Sequence, residues 1–127
     1  MSDIIRNAIQ TPDGTVLHSR SVHDYKSHID LITSNEYIVD GGHSYIRTST
    51  HADQISLCVV LEDGHEAVRE ALEWGTYGIS GDQPLSYIKL KDMEDEHIQA
   101  VLGNCGNILP QFKTAMQDEL VYRGIEL

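Results

Sequence analysis

Basic residues are scarce in this chain. Nine Lys and Arg stand against twenty Asp and Glu in 127 residues, a formal net charge of −11. The deficit is uneven, −3 over residues 1–61 and −8 over residues 62–127. Such a balance excludes a nucleic-acid polymer as a partner, because displacing counterions from a phosphate backbone needs a basic footprint. Its plainest meaning is a solvated surface. Aromatic residues are few as well, with one Trp and one Phe. The core is therefore modest, and homo-oligomerisation, as a dimer or larger assembly, is the expectation for so thin a core. Two cysteines, Cys58 and Cys105, match no metal spacing and fit a reducing cytosol. There is no apolar span of bilayer length, no secretory leader and no lipidation motif. The expectation is a soluble, cytoplasmic protein with no membrane partner.

Catalytic signatures are missing too. The chain holds no phosphate-binding loop, no G-x-G-x-x-G and no nucleophile elbow. His23 and Asp24 resemble a base with its orienting carboxylate, but neighbours on a strand point to opposite faces. The seven histidines tempt a metal argument. His18, His23, His28, His43 and His51 nonetheless have irregular gaps and no cysteine nearby, so no metal and no cofactor are expected. Binding without catalysis is the better expectation.

What is present reads as one domain over residues 1–127, strand-rich over 1–61 and helix-rich over 62–127. Residues 4–10 and 15–20 flank Pro12-Asp13-Gly14, a hairpin signal. Residues 25–31 and 36–40 form a second hairpin across Thr33-Ser34-Asn35. Gly41-Gly42 breaks the ladder before an extended segment at Tyr45-Ile46-Arg47. The run ISLCVVL at 55–61 reads as a central strand buried on both faces. Helices follow. Asp63 with Glu66 predicts a cap, Gly75 a helix stop, and Arg69 with Glu73 an exposed i,i+4 pair. Asp92 predicts the cap of a second helix ending at Gly103, and Pro110 opens a third that closes at Gly124. The fold class expected is α+β, an N-terminal antiparallel β-sheet followed by C-terminal helices.

The block WGTYG at 74–78 looks built to hold a ligand. Trp74 and Tyr77 offer flat apolar faces for a planar group, and Gly75 permits close backbone approach. Lys89 and Lys91 follow as partners for an anion. Against this, a single Trp at a helix end commonly anchors a core. Arg47, after Asp40-Gly41-Gly42, is either an anion-binding fork or the partner of an acid. Arg123 on the last helix is either a phosphate contact or a complement to the helix dipole. Lys113 is a solvated charge by default.

Three strings, IIRNAIQTPDGTVLHSRSVHDY (4–25), VDGGHSYIR (39–47) and ALEWGTYGISGDQPLSYIKLKDMEDEHIQAVL (71–102), resemble the first-described family of phage Thoeris anti-defence proteins. The first string is also similar to short bacterial proteins with paired cysteines at the turns. Those cysteines are absent here, so no metal role carries over. The Thoeris resemblance implies a sponge in the cytoplasm of an infected bacterium. Such a sponge sequesters a cyclic ADP-ribose isomer made as an alarm signal, and in some members also cyclic oligonucleotides at a separate site. It implies an N-terminal sheet with C-terminal helices and oligomeric assembly. It also implies an aromatic stack and arginines from the last helices; here Arg123 fits, with Lys113 as a substitute. The ligand-binding set expected is Trp74, Gly75, Tyr77, Arg47, Lys89, Lys91 and Arg123, with the 75–81 loop as a lid. Alternatives are an acidic DNA mimic or other protein-binding inhibitor of a host enzyme, a nucleotide-cleaving enzyme, and an assembly protein.

Overall fold

Strands dominate the first half because β-branched and aromatic residues alternate with polar ones there. The computed structural model describes residues 3–77, 81–104 and 108–125. Its contacts divide the chain into two compact units, Met1–Glu62 and Asp63–Leu127. The architecture is α+β, with antiparallel strands mostly in the N-terminal part and helices towards the C-terminal end. No helix among the described residues is long and apolar enough to cross a membrane.

In the first unit, β1 (Ile4–Gln10) pairs antiparallel with β2 (Val16–Ser19), Gln10 opposite Val16 and Asn7 opposite Ser19. Asp13 fixes the turn, its Oδ1 accepting from Thr11 Oγ1 and the Thr15 amide. A second sheet follows the order β3 (Lys26–Ile29), β4 (Glu36–Asp40), β5 (Arg47–Thr48). Ile9, Leu17, Tyr37 and Val39 form a buried cluster in this unit.

Between β4 and β5 the chain turns through Gly41 and Gly42, at φ +103° and +55°. A Cβ on Gly42 would lie 2.2 Å from the Ser21 carbonyl carbon, so the backbone approach itself demands glycine. Buried Asn7 ties the turn to β1. Its Nδ2 donates to the carbonyls of Asp40, Gly42 and Tyr45 at 2.9, 3.0 and 3.1 Å.

The expectation of a doubly buried strand over 55–61 is corrected. The run breaks into β6 (Ile55–Ser56) and β7 (Val59–Val60), both pairing with β1. Ile55 is 56% exposed. Arg6 Nε takes the Leu57 carbonyl at 2.7 Å, and the register against β1 shifts between Ile4 and Arg6. Ser56 is exposed as well, and Val59 and Val60 are only half-buried, so the run is not covered on both faces.

The second unit contains α1 (His65–Ala71), the hairpin β8 (Glu73–Thr76) and β9 (Ser86–Lys89), α2 (Asp95–Asn104) and α3 (Pro110–Tyr122). Val68, Leu72, Leu90, Met93, Ile98, Met116 and Leu120 supply its core. Several terminal signals act differently from expectation. Gly64, at φ +101°, precedes α1, and no side chain caps that helix. Asp92 closes a 3₁₀ turn, and α2 begins three residues later. Gly103 lies within α2. The end of α3 follows expectation: the Gly124 amide bonds Val121 O and the Ile125 amide bonds Leu120 O, a Schellman closure.

Candidate functional site

Trp74, Gly75 and Thr76 lie on a strand, not at a helix stop. α1 ends at Ala71, Leu72 turns extended, and Glu73–Thr76 pairs with Ser86–Lys89. Trp and Thr favour the pleated conformation, and a partner strand that begins ten residues after Thr76 pairs with their backbone. Alternation then separates Trp74 from its neighbour Gly75. Trp74 shares a side with its cross-strand partner Ile88, and its ring sits 6.4 Å from that of Phe112 on α3. The core-anchor reading fits this placement.

Gly75 opens the other side. It faces Tyr87, and Tyr87 Cε1 and Leu85 Cδ1 each lie 3.3 Å from where a Gly75 Cβ would stand. Tyr77 follows the last residue of β8. Tyr77 is 55% exposed and Tyr87 44%, with Leu85 also exposed. The result is an apolar and phenolic shelf with Glu73 and Lys89 paired at one end. Large side chains over a strand glycine leave a flat surface suited to stacking. The Gln83 amide donates to Tyr77 O at 2.8 Å, holding the two ends of the connection together. Residues 78–80 of the expected lid lie outside the described residues.

The cationic residues have defined partners. Lys91 Nζ donates to Glu70 Oε1 at 2.9 Å, and Lys89 Nζ lies 3.8 Å from Glu70 Oε2. Arg123 is fully engaged: Nε donates to Glu119 at 2.7 Å, Nη1 to Asp95 at 2.6 Å, and Nη2 to the carbonyls of Leu90 and Lys91. Its role here is to bind α3 to the start of α2. Arg47 belongs to the first unit, where Nη2 pairs with Asp40 Oδ2 at 2.8 Å and the guanidinium lies over Tyr25. Trp74, Gly75, Tyr77, Lys89, Lys91 and Arg123 all belong to the second unit. Of these, the structure gathers Gly75 and Lys89 on one strand face, with Tyr77 exposed just past the end of β8. It adds Tyr87 and Leu85, which the sequence reading missed. Their signal is the spacing Leu85, Tyr87, Lys89 on one side of a segment already expected to be extended.

No protein family, curated protein or solved structure matches this chain.

Two further polar groups were not expected from the sequence. Asp13, His28 and Asp30 bring ligand-type atoms within 4.8 Å of one another. The i,i+2 spacing of His28 and Asp30 is the only trace of this in the sequence. Their atoms are already committed. Asp13 Oδ2 accepts from His28 Nε2 at 2.7 Å and the Leu31 amide, and Asp30 Oδ2 accepts from the amides of Ile32 and Thr33. The hydrogen bonds from His28, the Leu31 amide, Thr15 and Thr11 hold the Asp13 carboxyl well below the usual carboxylate range. The group clamps two turns together. The second feature is His18, pushed down to about 4 by burial and then by the positive charges of Arg20, Arg6, His43 and Lys26. A depressed histidine stabilises the fold above its unfolded pKa, and that stability is lost as pH falls through 4. We expect His18 to keep neutral imidazole shifts through about pH 5 in an NMR titration. Protonation near pH 6.5, its unperturbed value, would contradict this.

Proposed function

We propose that the protein binds a planar nucleotide signal of the cyclic ADP-ribose class and sequesters it without cleavage, in the cytoplasm of a phage-infected bacterium. The observation that carries the reading is the shelf formed by Leu85 and Tyr87 over Gly75, with exposed Tyr77 next along the chain from β8 and a lysine at the edge of the hairpin. The resemblance of residues 71–102 to the Thoeris anti-defence family supports the same reading. A base stacks on the phenol rings, each contributing about 1–3 kcal/mol. Lys89 and Lys91 meet the pyrophosphate by exchanging Glu70 for the ligand, an electrostatic substitution like for like. Sequestration needs tight holding and no nucleophile, so the shelf suffices without further groups.

The test is to incubate purified protein with a cyclic ADP-ribose isomer, remove free ligand by filtration, heat-denature and analyse the released nucleotide by mass spectrometry. Depletion followed by release of intact ligand supports sequestration. Depletion without recovery means turnover. No depletion, repeated with cyclic di- and trinucleotides, turns attention to the acidic surface and a protein partner. Because Trp74 packs on Phe112, its replacement disturbs the core, and Tyr77→Ala and Tyr87→Ala are the cleaner variants. Each is expected to weaken binding by about 5- to 150-fold with the melting temperature little changed. Unchanged affinity in both variants would remove the shelf from the reading.

A further inference from the structure

The turn that carries Lys89 and Lys91 is fixed by bonds that do not involve the lysine side chains. Lys89 ends β9, and Lys91 lies in the 3₁₀ turn Leu90–Asp92 that follows. Leu90 between them is fully buried, and its amide donates to Leu72 O at 2.9 Å, next to the end of α1. Arg123, just past the end of α3, donates from Nη2 to the carbonyls of Leu90 and Lys91 at 3.1 and 3.3 Å. Backbone so held sets where the two lysine stems begin, whatever their ammonium groups meet. A pair of ammonium groups on one fixed turn is a receptor for an anion with several oxygens.

Glu70 fills that receptor. Its carboxylate reaches over from α1 and spans the pair, Oε1 2.9 Å from Lys91 Nζ and Oε2 3.8 Å from Lys89 Nζ. The hydrogen bond from Lys91, joined by the charges of Lys91, Lys89 and Arg69, outweighs burial and draws the Glu70 carboxyl below its ordinary value. The contact is nonetheless open to water, the Glu70, Lys89 and Lys91 side chains being 55%, 44% and 32% exposed. Ion pairs so exposed hold weakly. Glu70 can leave by rotating its own side chain, with no backbone hydrogen bond broken. Glu66, one turn earlier on α1, has the same sign and opposes retreat along that helix. Glu73, opposite Lys89 in the hairpin register, also repels an incoming anion.

We propose that Glu70 is an internal competitor, a resident anion that closes the Lys89–Lys91 pair until a ligand phosphate replaces it. The inference rests on the hairpin as the anion-binding site of the proposed function and adds its regulation. With the pair open in only a fraction of molecules, every anion loses affinity by that fraction. Inorganic phosphate and pyrophosphate have the lysines as their main contact and so have least affinity to lose. A ligand that joins its phosphates to a planar base gains a second contact from Tyr87 over Gly75 and is retained.

Calorimetric titration of the full chain with inorganic pyrophosphate tests the latch. Glu70→Gln is expected to bind pyrophosphate about 3- to 30-fold more tightly than the wild type, with the thermal melt little changed. In the triple variant Glu70→Gln, Lys89→Gln, Lys91→Gln the gain should vanish. Glu36→Gln makes the same change in net charge at an exposed position of the first unit and should bind as the wild type does. Equal affinity in Glu70→Gln and the wild type overturns the proposal, as does pyrophosphate binding to neither. So does a gain that Glu36→Gln or the triple variant reproduces. Parallel titration with a cyclic ADP-ribose isomer separates this result from the proposed function. Tighter pyrophosphate binding in Glu70→Gln, with the nucleotide held by neither protein, keeps the latch and removes the nucleotide. A nucleotide held equally by both, with pyrophosphate affinity unchanged, keeps the nucleotide and removes the latch.

Discussion

Glu119→Ala is expected to cost about 3–5 kcal/mol of folding stability, the largest effect of any substitution considered for this chain. Glu119 is fully buried on α3, and each of its oxygens accepts twice. Arg69 approaches both through Nε and Nη2 at 2.8 Å, His65 Nε2 donates to Oε1 at 2.8 Å, and Arg123 Nε donates to Oε2 at 2.7 Å. Removing the carboxylate leaves two guanidinium groups, on side chains 22% and 18% exposed, facing one another without their shared acceptor. That loss is a large part of a typical total of about 5–15 kcal/mol. Urea unfolding checks it, and a change under about 1 kcal/mol would show that the site relaxes and hydrates freely. The same carboxyl sets an acid dependence. Burial pushes it up, but the hydrogen bonds from Arg69, Arg123 and His65 outweigh burial and bring it down to about 2. A depressed carboxyl contributes stability above its unfolded pKa of about 4.3, lost as pH falls towards 2. In Glu119→Gln that slope between about pH 4 and 2 should flatten.

Asn7→Leu is the second large effect, at about 3 kcal/mol. The side chain keeps its volume but loses a donor group shared among three carbonyls, and each acceptor left without a partner in a buried turn costs about 1–3 kcal/mol. Gly42→Ala attacks the same turn from its other side, through a positive φ and a backbone collision. Thermal melts of both variants should fall together, whereas a neutral Asn7→Leu would mean that water replaces the amide.

The hairpins at Pro12-Asp13-Gly14 and Thr33-Ser34-Asn35 were legible because turn chemistry is local, set by a few residues and their own side chains. α3 was legible for the same reason, from a proline at its start and a glycine past its end. The 55–61 run misleads because apolar content reports burial only where other elements cover both faces, and here Ile55 and Ser56 are exposed while Val59 and Val60 are half-buried. Trp74 misleads differently. A helix stop at Gly75 and a strand through it suit the same residues, and the choice is made by Ser86–Lys89, beyond any local window. Arg69 likewise reaches Glu119, fifty residues away. At the candidate site the sequence marks Gly75, Tyr77 and Lys89. It conceals that Trp74 belongs to the opposite face and that Tyr87 takes its place.

The single tryptophan has a consequence for spectroscopy. Trp74 lies in the second unit, half-buried and close to Phe112, and the first unit holds tyrosines but no indole. Emission excited at the red edge of the indole band thus follows the second unit alone. Far-ultraviolet circular dichroism follows both. Superimposable melting curves from the two signals would mean that the units unfold as a single cooperative body, and offset curves would give each its own midpoint without any cut in the chain.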